Sequence, residues 1–207
     1  MYMNEDLYVD FLKVKEILWV GINFSKAKFT REGFNYPQEV LLHYFHEWNM
    51  LILNDQKKYD IRMSFRKPMM QYDLSVVTKL NKSVKVNNLI TKYVNIKDVY
   101  TDDQMVQYMS GLSLPKSLPY ALSFVVESFD SSVKTAAIWV VITQTSTNQV
   151  VLCEKFLKKP AGFGTRNYWA RTIYNVFYDI QSNSFQRWDN MVHNRLDEFA
   201  SDKESRQ

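Results

Sequence analysis

Cysteine, glycine and proline are scarce in this chain of 207 residues. A single cysteine, Cys153, excludes an internal disulfide framework, and the apolar run 150–152 before it predicts a buried, inert thiol. Only five glycines and five prolines argue against a linker-rich chain or a barrel with many tight turns. We therefore expect one α+β domain over residues 1–183, followed by an amphipathic helix and a frayed tail over 184–207.

Long apolar runs are also missing, since no segment approaches the roughly 18 residues that cross a bilayer. The first 16 residues carry Glu5, Asp6 and Asp10 and lack the basic start and apolar core of a signal peptide. We therefore expect a soluble protein without a membrane span. Its expected location is cytoplasmic as the chain stands, or periplasmic if a leader has been removed.

Charge is present but modest, because a net charge of +4 is common among soluble proteins. Residues 62–97 are more basic, with eight lysines and arginines against Asp73 alone, and aromatic residues are interspersed among them. Single-stranded nucleic-acid binding by this segment is one alternative function. We favour a solvated basic face, so nucleic acid is not an expected partner.

Hydrophobic periodicity predicts a mixture of strands and helices. A capping box at residues 101–104 marks one helix start, and short polar connections join the last three strands as an antiparallel meander. Residues 73–80 are compatible with a helix and 93–99 with a strand. The expected fold class is α+β, a two-layer sandwich with a mixed or antiparallel sheet and helices mainly on one face. The predicted strands cover residues 17–24, 59–65, 121–128, 135–143 and 149–157, and the predicted helices cover 5–16, 37–54, 102–111, 165–180 and 184–199.

The stretch Lys158–Trp169 concentrates the unusual residues between the last strand and the next helix. Its Gly-x-Gly sequence presents free backbone N–H groups at a helix N-terminus, where an anion such as phosphate or carboxylate binds well. A structural corner, with glycines at positive φ and Phe163 and Trp169 packed on the core, is the interpretation we favour. The candidate ligand-binding residues are Lys158, Gly162, Gly164, Thr165, Arg166 and Asn167.

Metal-binding and catalytic groupings are weak. His43, His46 and Glu47 share one turn of a predicted helix, but the order is not His-Glu-x-x-His and no third histidine is near in sequence, so we expect no metal there. No Ser-His-Asp or Cys-His grouping is evident, so we expect no cofactor, and an enzyme is the less favoured interpretation. The acids that remain as candidates for acid-base chemistry are Asp60, Asp73, Glu127 and Asp130.

Three motifs resemble a bacterial family without an assigned activity: WVGINFSKAKF at 19–29, YFHEWN at 44–49 and GFGTRNYWA at 162–170. The resemblance covers most of residues 17–182 and implies a shared architecture but no reaction. More loosely, the order of elements is similar to that of envelope assembly lipoproteins and of the N-terminal domain of the periplasmic translocation protein TolB. That similarity implies a non-catalytic assembly or interaction module of the cell envelope.

The favoured function is therefore a non-enzymatic protein-interaction or assembly domain. Its expected partner is another protein or a second copy of the chain, and the helix over 184–199 is a candidate contact surface. The main alternative is a protein or enzyme that binds a small anionic ligand at the Gly162–Gly164 loop.

Overall fold

The computed structural model describes residues 1–34, 36–92 and 99–204, with side chains as far as residue 194. Most of the ambiguous segment 93–99 and the end of the predicted tail lie outside the described residues. The elements in chain order are β1 (Tyr2–Met3), α1 (Glu5–Lys13), β2 (Glu16–Asn23), β3 (Lys28–Thr30), a 3₁₀ turn (Arg31–Gly33), α2 (Gln38–Asn54), α3 (Ile61–Ser64), β4 (Met69–Tyr72), α4 (Ser75–Lys82), α5 (Val86–Leu89), β5 (Ile90–Thr91), α6 (Asp102–Ser110), β6 (Tyr120–Asp130), β7 (Thr135–Gln144), β8 (Gln149–Lys158), α7 (Thr165–Asp179), a π-turn (Ile180–Ser184) and α8 (Phe185–Glu204).

The strands form one mixed sheet in the order β1-β8-β7-β6-β2-β4, and β3 adds to it beside β6 with β5 at its other edge. β2 runs parallel to both of its neighbours, β4 and β6. β6, β7 and β8 form the predicted antiparallel meander. The α+β fold class and the mixed sheet are thus confirmed.

The main helices cover one face of the sheet. Apolar side chains of α1, α2, α7 and α8 join the sheet in a single core, which is unusually aromatic. At its centre Phe129 stacks on Phe29, with ring centres 4.9 Å apart, and on Trp169 at 4.5 Å. On the opposite face, α6 contributes Met105 and Met109 to a smaller cluster.

The strand predicted over residues 59–65 is wrong, because α3 lies there. Alternation requires Met63 to face inward, but its side chain is 58% exposed, while Ile61 and Phe65 are buried four residues apart. The Asp60 side chain accepts a hydrogen bond from the Met63 N–H at 3.1 Å and caps the helix. A local cap and a four-residue spacing therefore decide in favour of one helical turn.

The last two predicted helices form one continuous helix, since the π-turn joins α7 to α8 without a loop. Trp188 and Val192 of α8 are buried in the same core as α7. The Trp188 indole N–H donates to Glu154 Oε2 at 2.5 Å, and Arg187 pairs with the same carboxylate at 2.6 Å. The first part of α8 is therefore packed onto the sheet.

Candidate functional site

Helix α2 connects the three sequence motifs to one another. The Asn49 amide hydrogen-bonds the backbone of Ile22 in β2 at 2.7 and 3.0 Å. Directly before it in the sequence, the Trp48 indole N–H donates to the carbonyl of Arg166 at 2.9 Å, and Glu47 Oε2 lies 2.9 Å from Arg166 Nε. The middle motif thus fixes the glycine stretch against the body of the protein.

The glycine stretch forms a short loop that exposes an aromatic ring. Gly162 and Gly164 have φ values of 114° and 75°, in the region that favours glycine. Between them Phe163 is 95% exposed, so the prediction that it packs on the core is wrong, whereas Trp169 is buried as predicted. A hydrogen bond from the Ala161 N–H to the carbonyl of Tyr168, 3.3 Å long, closes the base of the loop.

The side chains predicted to hold an anion have partners within the protein. Lys158 forms an ion pair with Asp179 of α7. Arg166 pairs with the α2 carboxylate described above, and the Thr165 hydroxyl lies 2.6 Å from the hydroxyl of Tyr36. Both predicted cations are therefore neutralised locally. The Arg166 and Thr165 contacts anchor the start of α7, and the Lys158 pair anchors its end.

Two other cations meet at the glycine loop. A depression of about 250 Å³ lies beside Gly162 and Asn167 and is also lined by Lys58 and Arg171. No carboxylate is present among its lining residues in the described part of the chain. Lys58 is exposed, and its ammonium lies 5.3 Å from the centre of the Tyr59 ring. Sequence reasoning missed Lys58 as a site residue because more than a hundred residues separate it from Arg171.

Two further depressions continue from this one along α7. The second has a volume of about 390 Å³ and shares Lys58 with the first, and the third, of about 650 Å³, shares Asp60 and Gln181 with the second. Together they form what we call the α7 groove, between residues 55–68 and the helix from α7 into the π-turn. Its principal lining residues are Asp55, Lys57, Lys58, Asp60, Arg62, Met63, Arg66, Gly162, Arg171, Tyr174, Tyr178 and Gln181.

The two histidines considered as metal ligands line a separate cavity. His43 and His46 lie at the border of a space of about 460 Å³ between α2 and α4. His43 Nε2 is 4.0 Å from Glu47 Oε1, and Glu47 also pairs with Arg166. Within the described ranges, no three His, Cys, Asp or Glu side chains are grouped so as to hold a metal ion.

The acidic candidates stabilise the fold in different places. Glu127 is fully buried on the face of the sheet that α6 covers. It accepts hydrogen bonds there from Trp139 Nε1 at 2.7 Å and Lys155 Nζ at 3.1 Å. Burial raises the pKa of the Glu127 carboxyl, and these two partners oppose that rise. The three aspartates accept N–H groups of their own turns: Asp60 from Met63, Asp73 from Ser75 and Asp130 from Ser132.

Comparison with known proteins adds little to this description. No family model and no curated protein matches the chain. Among solved structures, the C-terminal domain of LpoB from Salmonella enterica matches with a TM-score of 0.31 and 10% identity, over 75% of this chain and 94% of that domain. This is a loose likeness of fold. Among the helices in the described part of the chain, none is both long enough and apolar enough to cross a membrane.

Proposed function

We propose that this protein is a non-enzymatic protein-interaction domain whose contact surface is Phe163 together with the adjoining α7 groove. The observation that carries this proposal is the exposure of Phe163. Its side chain is 95% exposed, whereas the tryptophans and most phenylalanines are buried. Burying a phenylalanine side chain contributes about 1.5–3 kcal/mol. An apolar ring held in water therefore favours a partner that covers it.

Contacts within the protein hold the loop around Phe163 in place without a partner. The Trp48 and Ala161 hydrogen bonds and the Tyr36 contact hold both ends of the loop. An aromatic anchor on an ordered backbone loses little conformational freedom when it is buried, and such anchors dominate the energy of many interfaces.

A photo-cross-linking experiment tests this function. Phe163 is replaced by benzoylphenylalanine in the full chain, in its native cells, and Val133 in the β6–β7 turn, which is 40% exposed, is replaced in the same way as a matched control. We expect one reproducible protein adduct from position 163 and none from position 133. No adduct at 163, or the same adducts at both positions, would contradict the proposal.

A second candidate function is the binding of a small anion in the first depression of the groove. It is favoured by the convergence of Lys58 and Arg171 beside Gly162. Inorganic phosphate is the probe. Calorimetry should detect saturable binding that Arg171→Ala removes. The control variant Lys79→Ala, at an exposed position of α4, should preserve it. Equal binding to both variants would contradict a site in this depression.

A further inference from the structure

We infer that the α7 groove receives an extended, acidic peptide segment of the partner, an inference that rests on the proposed function. The first argument is charge. Five exposed cations line the groove against two carboxylates, Asp55 and Asp60. They are Lys57, Lys58, Arg62, Arg66 and Arg171. A sixth, Lys67, is buried and donates to three backbone carbonyls.

The charges are distributed unevenly along the groove. Arg171 and Lys58 lie at the end next to the glycine loop, and Arg62 and Arg66 lie at the other end. Both carboxylates line the middle depression, where Lys57 and Lys58 balance them. Asp60 also borders the third depression, where its Oδ1 lies 3.8 Å from Arg62 Nε. Acidic side chains of a ligand are therefore attracted more to the two ends than to the centre.

The centre of the groove offers apolar contact instead. Tyr174 and Tyr178 stack on each other with ring centres 6.3 Å apart, and Tyr178 is 60% exposed. At the border of the third depression, Met63 is 58% exposed. Exposed tyrosine and methionine side chains are favoured at interfaces, where they accept apolar side chains of a partner.

The length of the groove sets the spacing of the acidic residues. Arg171 and Gln181 are ten residues apart on one helix, which is about 15 Å. An extended peptide rises about 3.3 Å per residue and covers that distance in about five residues. The expected ligand therefore carries two acidic residues about five positions apart, with apolar residues between them.

A single-stranded nucleic acid fits this pattern less well. It carries a phosphate at every nucleotide, so its charge would also lie over Asp55 and Asp60. Two of the aromatic rings in or just before the basic segment, Phe65 and Tyr59, are buried in the core, with exposures of 0% and 2%, and are not available to stack on bases.

Selection from a library of random twelve-residue peptides tests this inference on the full chain. Affinities of the selected peptides are then measured by fluorescence anisotropy for three proteins: wild type, the double variant Lys58→Ala/Arg171→Ala, and the control double variant Lys79→Ala/Lys85→Ala. Both control lysines are exposed and lie outside the groove. Circular dichroism confirms that all three are folded.

We expect enrichment of paired acidic residues about five positions apart, and at least tenfold weaker binding to the groove variant but not to the control. Enriched peptides without acids, or equal affinities for all three proteins, would overturn the inference. The inference would also be overturned if a twelve-nucleotide oligothymidine displaced the peptides and its binding depended on the same cations. If these tests fail while position 163 still cross-links to a protein, the proposed function stands and only the peptide chemistry is wrong.

Discussion

The Asn49 side chain accepts a hydrogen bond from the Ile22 N–H at 2.7 Å and donates one to the Ile22 carbonyl at 3.0 Å, as a neighbouring strand would. β4 pairs with β2 only over Glu16–Trp19, and the remainder of that edge faces α2 and α4. Asn81 completes it by accepting from the Phe24 N–H at 2.7 Å and donating to the Ile22 carbonyl at 2.9 Å. Two buried amides thus satisfy the backbone where the sheet lacks a strand.

Replacing Asn49 with leucine tests this role. The substitution keeps the branched shape of the side chain but leaves the buried Ile22 N–H without a partner, so we expect the free energy of unfolding to fall by about 2–3 kcal/mol. Urea denaturation measures the change. Asn190→Leu, on the exposed side of α8, is the matched control and should change stability by less than about 0.5 kcal/mol. Equal effects of the two substitutions would exclude a structural role for the amide.

Gly21 and Gly164 form a second matched pair, because both have positive φ values. At Gly21 an added Cβ would lie 2.5 Å from Val77 Cγ2 and 2.7 Å from Asn49 Oδ1, whereas at Gly164 it would meet nothing within 4 Å. We expect Gly21→Ala to cost about 3–5 kcal/mol and Gly164→Ala only about 1–3 kcal/mol, because at Gly164 the cost comes from the backbone conformation alone. Thermal denaturation distinguishes them, and a larger loss at Gly164 would refute the packing argument.

Lys67 is buried, and its ammonium donates to the carbonyls of Phe11, Leu12 and Val14 at 2.6, 3.1 and 3.0 Å. Burial lowers the pKa of Lys67 to about 8 from its ordinary value of 10.5. Between these two values the unfolded chain binds the proton and the folded chain releases it, so the stability of the folded state rises with pH in this window.

Comparison with Lys67→Met isolates this contribution. From pH 7.5 to 9.5 we expect the wild type to gain about 2 kcal/mol of unfolding free energy relative to the variant, because methionine does not titrate. At pH 7.5 the variant has two opposite effects on stability. It removes the cost of burying a charge, but it leaves three carbonyls without their hydrogen-bond donor. Parallel stability curves for the two proteins over this pH range would show that Lys67 has an ordinary pKa.

The buried pair of Glu127 and Lys155 predicts an asymmetry. Lys155→Met leaves a fully buried carboxylate without its cation, and we expect a loss of about 3–5 kcal/mol at pH 8. Glu127→Gln removes the buried charge, while Lys155 is partly exposed and still donates to the Tyr100 carbonyl, so a loss of about 1–2 kcal/mol is expected.

The pH dependence of the same variants provides a check. A carboxyl whose folded pKa lies above its unfolded value stabilises the fold at low pH and loses that contribution as the pH rises through the folded pKa. The deficit of Lys155→Met relative to wild type should therefore shrink from pH 8 to pH 5. A deficit that grows in acid would mean that the Glu127 carboxyl is stabilised as the anion by its remaining partners.

Elements fixed by local pattern were predictable from the sequence. The capping box is present, with the Gln104 N–H donating to the Thr101 hydroxyl at 3.3 Å and the Thr101 N–H donating to Gln104 Oε1 at 3.0 Å. Helix α4 and the meander also lie where periodicity placed them. Residues 59–65 are too few to distinguish apolar residues at every second position, which predict a strand, from apolar residues four apart, which predict a helix. The cap formed by Asp60 was not recognised.

The groove was less accessible to sequence reasoning, because its walls come from distant parts of the chain. Glycines at 162 and 164 predicted the loop and its positive φ values correctly, but the outward direction of Phe163 depends on the fold around the loop, which no local pattern reports. Asn49 had a readable signal, since it follows Phe45 by four residues on the buried face of α2. A polar residue at such a position indicates a buried partner, here the edge of β2.

The π-turn at Ile180–Ser184 sets the rotation of everything that follows it. At about 100° per residue, a regular helix continued from Ile180 would carry Trp188 and Val192 about 80–120° around the axis from Ile180, which lies at the centre of the stripe that α7 buries. The wider turn holds one residue more and cancels that offset. Deleting a single residue within it would restore regular winding and swing Trp188 away from Glu154 and the core. The number of residues in this one turn therefore determines which face of α8 is exposed to solvent.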